Sequence, residues 1–67
     1  MHIFINKEKT EIGKGQSLGD LLLELNIAAF KGIAIAINNN IIPKASWEIQ
    51  HLQDQDHVTI IKATQGG

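Results

Sequence analysis

The run Ile33-Ala34-Ile35-Ala36-Ile37-Asn38-Asn39-Asn40-Ile41-Ile42-Pro43 decides how this chain folds. Isoleucine alternates with alanine over 33–37, the period-2 pattern of a strand. Three asparagines follow, and this side chain tolerates the left-handed conformations that turns require, so the chain is expected to reverse there. Ile41 and Ile42 begin a return strand. Pro43 ends it, because proline has no N–H to give to a ladder and belongs at an edge. The expected unit is a hairpin whose second strand is short and peripheral.

The flanking sequence extends this hairpin into a sheet. Residues 2–6 alternate, with Ile3 and Ile5 on one face and His2, Phe4 and Asn6 on the other. Lys7-Glu8-Lys9 reads as a polar turn, and 10–12 as a second short strand paired to the first. Gly13 and Gly15 break the pattern. Ser17 can cap a helix over 18–25, with Asp20 three residues on completing a carboxylate capping box that also suits the helix dipole. Leu18, Leu21, Leu22 and Leu25 fall at i, i+3, i+4 and i+7, a single apolar stripe, and Asn26 is a natural stop. Asp54-Gln55-Asp56 reads as a turn before a last strand over 57–63, with Val58 and Ile60 on one face and Thr59, Ile61 and Ala63 on the other. The order is strand, strand, helix, strand, strand, strand. One helix with one stripe covers one face of a mixed sheet of four to five strands, an α+β roll whose other face is open. The first and last strands are expected to pair in its middle. Phe4, Ile61 and Ala63 then point away from the helix. An exposed apolar patch marks a contact site, so these three residues form a candidate partner-binding surface.

Composition narrows the function. The 67 residues make one domain, too small for an enclosed catalytic cleft. Cysteine is absent, which removes disulfides, thiolate metal sites and a cysteine nucleophile together. A net charge of -1 with scattered lysines provides no stripe for a phosphate backbone, so nucleic acid is not an expected partner. The apolar start is interrupted at Asn6-Lys7, short of the roughly 7 to 15 residues of a signal-peptide core. No segment approaches the ~20 apolar residues of a membrane span. A soluble, cytoplasmic protein is expected. His2, His51 and His57 show no ligand spacing and no associated carboxylates, so no metal site is expected. Trp47 is expected to pack over the sheet edge. The sequence finishes with Gly66-Gly67, residues costly to order and thin enough to thread a narrow channel.

The segment Ala34-Ile35-Ala36-Ile37-Asn38, then Ile41-Ile42-Pro43 and Trp47, resembles the signature of the sulfur carrier family of thiamine biosynthesis, the ThiS family. The resemblance extends to the opening strand over 3–6, the leucine-rich helix, the acidic turn at Asp54 and Asp56, and the terminal Gly66-Gly67. It implies a β-grasp, ubiquitin-like fold over 1–63 with a flexible diglycine tail over 64–67. It also implies a protein substrate, not an enzyme. An adenylating, E1-like enzyme using ATP and Mg²⁺ activates the Gly67 carboxylate, and a sulfur-donor enzyme converts it to a thiocarboxylate. Thiazole synthase is the implied acceptor, and no cofactor is bound by the chain itself. Thr64, Gln65 and Gly66 are the residues that enter the enzyme. With no thiol in the chain, any sulfur carried covalently must sit on the terminal acyl carbon. Two departures stand out: Gln55, where relatives often carry Gly, and Thr64-Gln65, where relatives are more apolar. Two other functions fit the same features, the small subunit of molybdopterin synthase and a ubiquitin-like interaction module whose end is never activated.

Overall fold

Asparagine-led reversals set the geometry of the sheet. A computed structural model describes residues 1–26 and 32–62. Its elements are β1 (His2–Ile5), β2 (Glu8–Glu11), α1 (Leu18–Glu24), β3 (Ile33–Ile37), β4 (Asn40–Ile42), a short 3-10 turn (Lys44–Ser46) and β5 (His57–Lys62). β1 and β2 reverse through two residues, Asn6 and Lys7, with φ of 48° and 74°, and Ile5 lies opposite Glu8. The expected three-residue turn at Lys7-Glu8-Lys9 is therefore corrected, since Glu8 and Lys9 already belong to β2. A two-residue turn with both φ values positive matches the twist of its strands, and Asn6 adopts that conformation at little cost. β3 and β4 repeat the device at Asn38 (φ 50°) and Asn39 (φ 71°), with Ile37 opposite Asn40. Asn40 is thus the first residue of β4.

The strands lie in the order β2-β1-β5-β3-β4. β1 and β5 are parallel and the other neighbours antiparallel. The first and last strands pair in the interior, as expected, and β5 occupies the centre. With α1 on one face, this is the β-grasp architecture that the family resemblance implied. The Ser17 hydroxyl accepts the Asp20 N–H at 3.1 Å, and the Asp20 carboxylate accepts the Ser17 N–H at 3.3 Å, closing the capping box. Leu18, Leu21 and Leu22 are buried, each contributing about 2 kcal/mol of apolar transfer. Leu25 is 40% exposed, so the buried stripe holds three leucines and not four. The reason is local: Leu25 caps the helix and Asn26 turns left-handed at φ 60°, ending the periodicity one residue early.

The core joins these leucines to Ile3, Ile12, Ile35, Ile37, Leu52, Val58 and Trp47. Trp47 is 7% exposed, and its Nε1 donates to the Ile42 carbonyl at 3.0 Å, tying the segment after Pro43 to the end of β4. Packing by Trp47 at the sheet edge thus agrees with the sequence. The 3-10 turn that carries it there lacks any periodic signal. The helix N-terminus approaches this segment closely: the Gly19 N–H donates to the Trp47 carbonyl at 2.9 Å, and a Cβ on Gly19 would lie 3.3 Å from Glu48 Cα. Among the described residues no helix is long and apolar enough to cross a membrane.

Candidate functional site

Pairing decides which side chains reach the open face. Ile5 lies opposite Val58, and both face the helix, so strand alternation sends Phe4, His57, Thr59 and Ile61 to the other side. Phe4 lies opposite His57, and their rings stack at 4.6 Å with 15° between planes. Ile61 lies opposite Ala34 and is 50% exposed, while Ile41 lies opposite Ala36 and is also exposed. Small alanines on β3 therefore separate two isoleucine ridges. Phe4 and Ile61 share a face but do not touch: His57 and Ile61 are four residues apart, roughly 13 Å along a strand. Toward β2 the face turns charged, with Lys9 opposite Phe4 and Glu11 Oε1 3.6 Å from His2 Nε2. Ala63, Thr64, Gln65, Gly66 and Gly67 lie outside the described residues. They continue the sequence of the central strand directly beyond Lys62.

The acidic turn has a structural task at each carboxylate. Asp54 Oδ1 accepts the His2 N–H at 2.8 Å, and Oδ2 accepts from the Gln55 amide at 3.2 Å. Those bonds, the backbone one foremost, hold the Asp54 carboxyl below its usual range. Asp56 is nearly buried; its Oδ2 accepts the Gln53 N–H at 2.8 Å and its Oδ1 accepts from Asn38 Nδ2 at 3.1 Å. Asn38 Oδ1 in turn accepts the His57 N–H at 3.0 Å, and the Asn38 N–H donates to the His57 carbonyl at 2.8 Å. The β3–β4 turn is thereby clipped to the start of β5. Among the described residues no three His, Cys, Asp or Glu side chains gather as metal ligands.

Sequence reasoning missed a second clip. Asn6 Oδ1 accepts the Ile60 N–H at 2.9 Å, and Asn6 Nδ2 reaches the Ile60 carbonyl at 3.4 Å. An asparagine closing a strand before a lysine is the only trace of this in the sequence, and it reads equally well as a turn former.

The model of the ThiS family matches residues 2–67. The chain belongs to the ThiS family. The sulfur carrier protein ThiS of Escherichia coli (strain K12) is 31% identical over 67 residues, covering both chains completely. The crystal structure of the thiamine biosynthesis protein ThiS from Geobacter metallireducens superposes with a TM-score of 0.86 at 17% identity, again over the full length of both chains. An NMR solution structure of a thiamine biosynthesis protein from the same organism gives 0.81 at 17% identity, over all of this chain and 88% of the other. At that identity the two structures speak for the fold. In this ThiS-family chain two of the signature residues, Asn38 and Trp47, hold strand ends in place.

Proposed function

We propose that this ThiS-family chain is a sulfur carrier of thiamine biosynthesis that acts through the carboxyl group of Gly67. A carboxylate is a poor acyl donor because its leaving group would be oxide, so it must first be activated. With a reference pKa of about 3.3 to 3.7 it is ionised at neutral pH and can attack the α-phosphorus of ATP, expelling pyrophosphate. The partner adenylating enzyme supplies ATP and Mg²⁺. The terminal sulfur of a donor enzyme's persulfide then displaces AMP from the acyl carbon, and a second thiol cleaves the S–S bond to leave a thiocarboxylate on Gly67. Thiazole synthase receives the sulfur. The chain catalyses none of these steps; it is their substrate.

The observation that carries this reading is the place of β5. The strand that leads to Gly66-Gly67 is the centre of the sheet, paired with β1 at its start and with β3 from Val58 to Lys62. A chain end that departs from the centre has a fixed origin, and the same strand offers Ile61 on the open face near that origin. We assign Phe4, Ile61 and Ala63 to the surface that docks on the adenylating enzyme, and Thr64, Gln65 and Gly66 to the strip that enters it. The test is an intact mass after incubation with ATP, Mg²⁺, the cognate adenylating enzyme and a sulfide source. A gain equal to the replacement of one oxygen by sulfur, localised to Gly67, is the expected result. An unchanged mass with every donor refutes the carrier and leaves an interaction module.

A further inference from the structure

We propose that Asn6 is a positioning residue for loading, acting through the last residues of β5, Ile60 to Lys62, which the diglycine end follows in sequence. The inference rests on the carrier reading. Backbone pairing between β1 and β5 ends with Ile5 opposite Val58 and the Asn6 N–H donating to the Val58 carbonyl at 2.9 Å. There β1 turns away, with Asn6 at φ 48°. From Thr59 onward β5 keeps β3 on one side, out to Ile33 opposite Lys62. On the β1 side, Ile60 is met by the Asn6 side-chain amide, whose Oδ1 takes its N–H at 2.9 Å and whose Nδ2 faces its carbonyl at 3.4 Å. A primary amide carries the same acceptor and donor as a peptide group. Asn6 thus stands in for one further strand residue, two residues before β5 ends at Lys62.

The consequence for loading is geometric. A terminal carboxylate must be brought to the α-phosphorus at near-attack distance, and the position of the root at the end of β5 sets the reach of the residues that follow it. Misplacement by about 1 Å can lower a rate by about 100-fold. Contrary to the sequence alternation, Asn6 turns out of β1 and borders the depression beside Leu25 and Ile60, on the helix side and not on the Phe4–Ile61 face, so its loss should appear in kcat and not in KM. Leu25, Ile60 and Lys62 border the same shallow depression as Asn6.

The experiment measures pyrophosphate release by the cognate adenylating enzyme with the full chain and three variants, at a temperature where circular dichroism shows all of them folded. Asn6→Gly keeps the positive φ and removes the amide. Asn6→Asp keeps the acceptor for the Ile60 N–H, the shorter of the two bonds. Trp47→Phe loses a hydrogen bond remote from the end of β5 and serves as the stability control. The expected result is a kcat for Asn6→Gly lower by about tenfold, with KM within about twofold. Asn6→Asp should recover most of that kcat, and Trp47→Phe should match the wild type. A kcat for Asn6→Gly no lower than that of Trp47→Phe, or a loss confined to KM, overturns the positioning role while the carrier reading stands. Absence of wild-type loading overturns the carrier reading itself and this inference with it.

Discussion

The clip between the β3–β4 turn and the start of β5 can be measured by removing Asn38. Its side chain makes one bond to the nearly buried Asp56 carboxylate, at 3.1 Å, and one from the His57 N–H, at 3.0 Å. A bond to a charged group contributes about 1.5 to 3 kcal/mol and a neutral one about 0.5 to 1.5. The His57 bond is exposed and water replaces part of it, so the lower half of each range applies. Asn38→Gly, which keeps the φ of 50° and relieves the Cβ strain there, offsetting part of this sum, should therefore cost about 2 kcal/mol. Asn38→Ala loses the same bonds and places a Cβ in the left-handed region, adding about 1 kcal/mol net. For a domain of this size the glycine variant should melt roughly 8 to 16 °C lower. The alanine variant should be lower still. Urea unfolding followed by circular dichroism gives both differences. A double-mutant cycle with Asp56→Ala should return a coupling of at least about 1 kcal/mol, the signature of residues in direct contact. Equal stability of the alanine and glycine variants would refute the strain argument. A coupling indistinguishable from zero would refute the clip.

Four further outcomes are expected. Gln55→Gly should raise the melting temperature by a few degrees, roughly 0.5 to 1 kcal/mol, because the relief of a strained Cβ at φ 72° outweighs the exposed 3.2 Å bond from the Gln55 amide to Asp54; calorimetry showing a lower value would contradict this. The Asp54 carboxyl is held below its ordinary value, so its stabilising contribution is present above the unfolded pKa of 3.8 and fades as pH falls through the lower folded value. Asp54→Asn should accordingly be less stable than wild type near neutrality and converge with it in acid; a gap that widens on acidification would reverse the assigned sign. Ile61→Asp, at a half-exposed position, should leave the melting temperature within a few degrees and raise KM for adenylation by about tenfold, and an unchanged KM would remove Ile61 from the docking surface. Gly66→Val should fold normally and gain no sulfur by intact mass, since branching beside the carboxylate widens the strip; a normally loaded variant would defeat the steric argument.

Much of the fold was legible because its signals are local. Alternation over 33–37 and the leucine spacing over 18–22 survive in the structure, for each reports which face of one element is buried. The sequence marks where the chain reverses but overstates the length of both turns. Polarity cannot separate Lys7 in the β1–β2 turn from Glu8 and Lys9 in an edge strand, all of them solvated, and only positive φ at Asn6 and Lys7 does so. Leu25 shows the opposite error, since an apolar residue in phase with the stripe still falls outside once Asn26 ends the helix. The sharing of one face by Phe4 and Ile61 was legible from period alone. The two asparagine clips were not, because each joins residues far apart in sequence, 54 for Asn6 with Ile60 and 19 for Asn38 with His57.

The clips also explain why asparagine, and not glycine, opens both hairpin turns. Glycine adopts positive φ as readily, so turn geometry alone does not call for an amide. Each amide instead reaches β5 from a different side: Asn38 from the β3–β4 turn to His57 at its start, Asn6 from the β1–β2 turn to Ile60 near its end. The central strand is thus held at two points by side chains that the turns already required for their backbone conformation. The two points carry different consequences. A defect at His57 lies at the entry of β5, where Val58 remains paired with both β1 and β3, and should register as lost stability. A defect at Ile60 lies beyond the last β1 backbone pair, where no second ladder compensates, and should register in kcat for loading. If both glycine variants were made, the larger stability loss at position 38 paired with the larger kcat loss at position 6 would separate the two tasks. A common proportion between stability and kcat in both variants would mean that the asparagines only hold the fold together.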